Sequence, residues 1–253
     1  MNKFHEFDYY LKPMKIKKVL LVFLILILSN NLNFSQSLEN KNILVVWGGW
    51  KGHQPKVFAD NVIKWLISQN AKITESNNFE VYDNYDSLTK FDLIIQSVTL
   101  SDISNNQADN LVKAINNGVG IAGAHGGLAD SYRTKTNYQF MIGGQFVAHP
   151  GGKVNFEVNM LNDPLTEGLN NFKIFTEQYY MHFDPNIEII ADTTFDNKFY
   201  SWIDGVVMPV AWKKKYGKGK VFYISIGHDP NEFIRYPDGW KLLTRGFVWA
   251  CRN

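Results

Sequence analysis

The stretch GVGIAGAHGGLAD, residues 118–130, decides the fold. Val119–Ala124 is a short uncharged apolar run, the pattern of a strand buried on both faces. It runs directly into His125 and a Gly pair that opens a helix. Gly123-x-His125-x-Gly127 has the glycine spacing of a strand-to-helix elbow, a sharp turn that presents the side chain at its centre. Such an elbow carries Ser or Cys in hydrolases. Imidazole in that place directs the expected chemistry towards proton transfer or metal binding and away from covalent acyl transfer.

Upstream, strand and helix alternate. Asn42–Trp47 and Phe91–Ser97 are apolar runs that read as strands, and Phe79–Tyr82 reads as a further strand between them. Phe58, Val62, Trp65 and Leu66 lie on one face of a helix. Ser104–Asn117 reads as a second helix, with Ser104 as its N-cap and Gly118 as its stop. This alternation predicts an α/β fold with a mostly parallel sheet covered on both faces. Ligands of such sheets bind beyond the carboxyl ends of the strands, which places His53 and His125 on one edge. Downstream, Lys153–Met160 alternates like a strand, and Asp163–Leu169 reads as a turn with a short helical piece. Val206–Trp212 and Lys220–Ile226 predict a hairpin around KKKYGKG, and Asp238–Cys251 a closing helix.

Five histidines stand in short runs rich in Gly, Pro or acid. Imidazole titrates near neutral pH and is the commonest metal ligand, so these loops are the candidate site. His53 follows the first strand in GGWKGH, beside the aromatic Trp50. His125, Gly126 and Gly127 form the elbow. His149 lies among Gly pairs in MIGGQFVAHPG. His182 ends TEQYYMHFD, which also carries Glu177 and Tyr179. His228 and Asp229 follow the apolar run VFYISI. If TEQYYMHFD is extended, Glu177 and Tyr179 share one face, and Tyr180, His182 and Asp184 the other. There is no HExxH, no CxxC and no compact carboxylate cluster. A divalent ion such as zinc therefore requires ligands converging from separate loops.

Lys15, Lys17 and Lys18 precede ten unbroken apolar residues, Val19–Leu28. That run is too short to span a bilayer and suits a secretory signal, so residues 1–36 are expected to direct export to the periplasm or beyond. Met14 is an alternative start, and an uncleaved anchor the alternative fate. Residues 1–36 hold five Lys against Glu6 and Asp8, so the net charge of +2 falls to −1 once they are removed. No basic excess then remains to favour nucleic acid. The single cysteine, Cys251, excludes an internal disulfide and reads as a buried, inert thiol. Residues 37–253 show no repeat and no linker, and are expected to form a single domain.

The ordered set HGG at 125–127, MIGGQFVAHPG at 141–151, DPLTEGL at 163–169, TEQYY at 176–180, PVAWKKKYGKGKVFYISIGHD at 209–229 and RGFVWA at 245–250 resembles the ThuA-like family, named for trehalose utilisation. The resemblance implies a flavodoxin-like three-layer sandwich of the class I glutamine amidotransferase-like superfamily. It also implies a role in carbohydrate catabolism, on disaccharides and their 3-keto derivatives. The family pattern falls on His125, Gly126, Gly127, Gly143, Gly144, His149, Pro150, Glu177, Tyr179, Gly227, His228 and Asp229. Asp163-Pro164 departs from the His-Pro that members often carry there. The superfamily's elbow Cys is missing, so glutamine hydrolysis is not expected. The expected protein is an exported enzyme with His125 and His228 as acid and base, Glu177 or Asp229 orienting them. Trp50, His53, Gly126, Gly127, His149, Tyr179 and His182 would contact the sugar. The alternative is a sugar-binding or scaffold protein without turnover.

Overall fold

The apolar run after Lys41 forms β1 (Asn42–Gly49), the first strand of the parallel sheet. The computed structural model describes residues 37–253; the expected export signal lies outside them. β1 is followed by α1 (Pro55–Ser68), β2 (Lys72–Ser76), the one-turn α2 (Tyr85–Leu88) and β3 (Leu93–Thr99). Next come α3 (Asn105–Asn116), β4 (Gly120–Ala124), the four-residue α4 (Gly126–Ala129) and α5 (Thr136–Ile142). Then follow β5 (Gly144–Ala148), β6 (Lys153–Met160), β7 (Phe172–Glu177), β8 (Tyr180–Phe183), β9 (Glu188–Thr194), β10 (Val207–Tyr216) and β11 (Gly219–Ile224). α6 (Glu232–Arg235) and α7 (Pro237–Ala250) close the chain.

Nine strands form one sheet in the order β2-β1-β3-β4-β11-β10-β9-β6-β7. The first five are mutually parallel, in a flavodoxin-like order. Side chains alternate across each strand, so each strand feeds both faces. Ile43, Val45, Leu93, Ile95, Phe222 and Ile224 pack with α1 and α7. Leu44, Val46, Ile94, Ile121, Val221 and Tyr223 pack with α3 and α5. The result is the expected three-layer α/β sandwich. The expected hairpin is also present: Tyr216 pairs with Gly219 across a two-residue turn in which Gly217 has φ 57°. Through it β10 runs antiparallel to β11, and the sheet continues antiparallel through β9, β6 and β7.

One expected strand is replaced. Phe79–Tyr82 is a single 3-10 turn, started by the Asn78 side chain, which accepts from Glu80 N–H. Its side-chain cap offers the backbone an alternative to a ladder. The edge strand is instead Lys72–Ser76, whose charged KITES sequence has the blunted character of sheet edges.

The antiparallel half curls. Five strand-to-strand steps separate β4 from β7, which in a flat sheet is about 24 Å. Yet the last residue of β7, Glu177, touches the residue that follows β4: Glu177 Oε2 lies 3.1 Å from His125 Nε2. β6 pairs with β9 only at Asn159 and Met160, and the sheet turns there. β5 and β8 form a separate two-stranded ribbon beside the site.

Candidate functional site

Three of the site's side chains come from the carboxyl edge of the parallel strands. β1 ends at Gly49, and a 3-10 turn over Lys51–His53 turns His53 inward, where it is buried. β11 leads through Ser225 and Ile226 to His228. β4 leads into His125, whose backbone has φ 52° and ψ −142°. That conformation is costly for any residue with a Cβ. It is the strained elbow expected from the glycine spacing, and the glycines are required by close approach. A Cβ on Gly123 would stand 2.6 Å from Gln96 O, and one on Gly126 would stand 2.8 Å from His53 Cε1.

The three imidazoles pack edge to face, with ring centroids 4.7 Å (His53–His125), 5.0 Å (His53–His228) and 5.6 Å (His125–His228) apart. Glu177 reaches them from β7. Its Oε2 is 3.1 Å from His125 Nε2 and 3.2 Å from His228 Nδ1. His149, in the turn after β5, has Nε2 3.8 Å from Glu177 Oε1. Four of the five histidines singled out in the sequence therefore surround one carboxylate. His149 forms the outer side of the group, with 43% of its side chain exposed against 12% for Glu177.

Each ring is oriented from behind. His125 Nδ1 donates to Ser225 O at 2.7 Å, and the ring stacks on Tyr179 at 4.0 Å. His53 Nδ1 lies 3.0 Å from Thr99 Oγ1, and Trp50 packs edge-on at 4.6 Å. His228 is held through its backbone: the buried Glu232 accepts from Gly227 N–H at 3.0 Å and from Asp229 N–H at 3.3 Å. His228 Nδ1 itself is buried and makes no hydrogen bond of acceptable geometry among the described residues, despite its approach to Glu177.

Charge follows from this packing. Burial above all, with proximity to His125 and His228, lowers the His53 pKa to about 3 against the opposing pull of Glu177. Burial alone would raise the Glu177 carboxyl, but contact with His125 and His228 outweighs it and holds the group well below the usual carboxylate range. The cluster thus maintains a carboxylate among imidazoles. One donor atom each from His53, His125, Glu177 and His228 lie within 4.8 Å of one another, an arrangement able to hold a cation.

Two expected site residues stand apart. His182 is exposed on β8, opposite Gln145, in a surface cleft with Phe140 and Asp184. The alternation in TEQYYMHFD puts Glu177 and Tyr179 into the cluster and turns His182 away. Asp229 does not orient an imidazole. Its Oδ1 accepts from Asn231 N–H at 3.0 Å and its Oδ2 from Arg235 at 3.0 Å, so it caps the turn before α6. Glu177 takes the orienting place. Thr99 and Glu232 were not singled out in the sequence. Thr99 is a polar residue ending an apolar strand, a local signal; Glu232 carries none, because its partners are backbone groups brought in by the turn. Beneath the elbow, buried Gln96 accepts from Tyr82 OH at 2.9 Å and donates to Ser131 Oγ at 2.8 Å and Tyr138 OH at 2.7 Å. Cys251 is buried at the far end of α7, where burial raises its thiol to about 11.

The family described as ThuA, trehalose utilisation, matches residues 42–250. A protein described as ThuA-like from Bacteroides uniformis ATCC 8492 superposes with TM-score 0.66 at 19% identity, covering 87% of this chain and 94% of that one. One from Parabacteroides merdae ATCC 43184 gives 0.64 at 14% identity, covering 84% and 90%. A β-galactosidase from Bacillus circulans sp. alkalophilus gives 0.50 at 14% identity, with 84% of this chain matching 32% of that one. These likenesses show the fold. No curated protein matches the chain by sequence. Among the described residues, no helix is long and apolar enough to cross a membrane.

Proposed function

Because the chain belongs to the ThuA family of trehalose utilisation, which supports a carbohydrate-related role, we propose that it is an exported enzyme. Its substrate would be a disaccharide, a glycoside or a 3-keto-sugar, processed by proton transfer at the Glu177 cluster. One observation carries this reading: His53, His125, His149 and His228, from four distant segments, converge on one carboxylate. Structural need alone does not gather four imidazoles at the ligand-binding edge of a parallel sheet.

A 3-keto group suits such a centre. It acidifies the neighbouring C2–H. A base takes that proton, and the electron pair moves into the keto oxygen. Collapse of the enolate expels the C1 oxygen, which leaves with a proton from an acid. Charge builds on the keto oxygen, where cationic or N–H groups stabilise it. His149 and Trp50 stand at the exposed rim and would meet the sugar first, Trp50 offering an aromatic face.

The test is incubation of the purified protein with trehalose, sucrose and their 3-keto forms, followed by product analysis. Turnover that is lost in Glu177→Gln supports the reading. Sugar binding without product identifies a binding protein and overturns it.

A further inference from the structure

We propose that His53, His125, Glu177 and His228 form the binding site of one divalent transition-metal ion of the zinc class. The inference deepens the reading of the same site, but it stands on geometry that does not depend on the substrate.

The first argument is spacing. Two donors each about 2.1 Å from a common ion lie roughly 3.0–3.4 Å apart. Glu177 Oε2 is 3.1 Å from His125 Nε2 and 3.2 Å from His228 Nδ1. All four donors lie within 4.8 Å of one another. Contraction of the wider pairs around a central ion completes the set.

The second argument is lone-pair accounting. Ser225 O can only accept, so the proton of His125 is on Nδ1, 2.7 Å away. Nε2 then turns a lone pair towards a carboxylate oxygen that is also an acceptor. His228 Nδ1 faces the same oxygen without a hydrogen bond. With the His228 proton on Nε2, two imidazole lone pairs meet a carboxylate oxygen, and a cation between them answers all three. A proton on His125 serves only its own contact with Glu177, and a proton on His228 Nδ1 finds no acceptor in hydrogen-bonding geometry. Protons on several rings would put like charges about 5 Å apart in a buried cluster. One ion serves every donor at once.

The third argument is support. Ligating imidazoles are fixed by a partner on the other ring nitrogen. Ser225 O does this for His125, and Thr99 Oγ1 lies at the matching place for His53. Glu232 fixes the turn that carries His228. Three nitrogens and one oxygen suit zinc and its neighbours better than magnesium, which prefers oxygen. With these imidazoles occupied as ligands, His149, which stands outside the set, would remain free for proton transfer.

The experiment uses the full chain purified without a metal-affinity tag. Metal content is measured by elemental analysis. Chelator-treated protein is then titrated calorimetrically with zinc, and separately with magnesium. The expected result is one zinc per chain, weak or absent magnesium binding, and a zinc-dependent rise in Tm. Zinc affinity should fall about 100-fold or more in Glu177→Gln and in His228→Ala. It should be unchanged in Glu188→Gln, the same substitution at an exposed carboxylate on β9. Circular dichroism separates ligand loss from misfolding, and the two variants guard against failure of either one. Absence of zinc binding, tighter magnesium binding, or unchanged affinity in folded Glu177→Gln would overturn the site. Zinc bound without sugar turnover upholds the metal site and overturns the enzyme. Sugar turnover in protein that binds no zinc does the reverse.

Discussion

His125 holds a backbone conformation that a side chain disfavours, in order to place an imidazole at the end of β4. The strain has a measurable consequence. His125→Gly should be more stable than His125→Ala by about 1–3 kcal/mol in chemical denaturation, because only Gly adopts this conformation freely. Both variants should lose turnover. An Ala variant as stable as the Gly variant would mean the elbow relaxes. Glu177→Gln keeps the shape and removes the charge, so turnover should fall by about 10²- to 10⁴-fold with the fold intact. At this scale the sequence was informative wherever a residue sat in a turn after a strand, as His53, His125 and His228 do. It was silent on Glu232, and misleading on Asp229, whose acid belongs to the local turn. A carboxylate beside a histidine in sequence says little about which carboxylate faces that histidine in space.

The elements follow local chemistry closely. Ser104 and Gln107 form a reciprocal cap on α3: each side chain accepts the other residue's backbone N–H. Ser104→Ala should cost about 1 kcal/mol of stability in urea unfolding and leave turnover unchanged. A change in turnover would tie α3 to the site. The strands of the parallel half were legible because each is buried on both faces and so reads as an unbroken apolar run. β2 was not, since an edge strand rich in charge lacks that signal. Phe79–Tyr82 has the apolar content of a strand, but its core contact is made largely by Tyr82, anchored to Gln96. Short apolar runs are ambiguous in this way until a partner is known.

The whole molecule couples its stability to acid through the buried cluster. His53 titrates near 3 when folded and near 6.5 when unfolded, chiefly because it is buried. Between those values the unfolded chain binds a proton that the folded chain refuses. Stability of the chelator-treated protein should therefore fall as pH drops from 6.5 towards 3, by up to about 1.4 kcal/mol per pH unit from this group. Glu177 acts in the same direction: its folded carboxyl is held below its unfolded value, so its contribution is lost as pH falls through the carboxylate range. Urea unfolding of His53→Gln between pH 6.5 and 4.5 should show a flatter acid limb than the parent. An identical limb would mean that His53 is solvated when folded. At this scale the sequence predicted the sandwich and the edge that carries the site, but not the curl of the antiparallel half. No local pattern encodes it, because it depends on β6 leaving β9 after two paired residues.

That curl divides the labour of the site between two halves of the sheet. The parallel half supplies His53, His125 and His228 from its carboxyl edge. The antiparallel half supplies Glu177, and the adjoining ribbon leads into His149. Substitutions along β6 and β7 can thus move the carboxylate without disturbing the imidazoles. Within this architecture, reshaping the antiparallel flap would shift the carboxylate relative to rings that stay on the parallel edge.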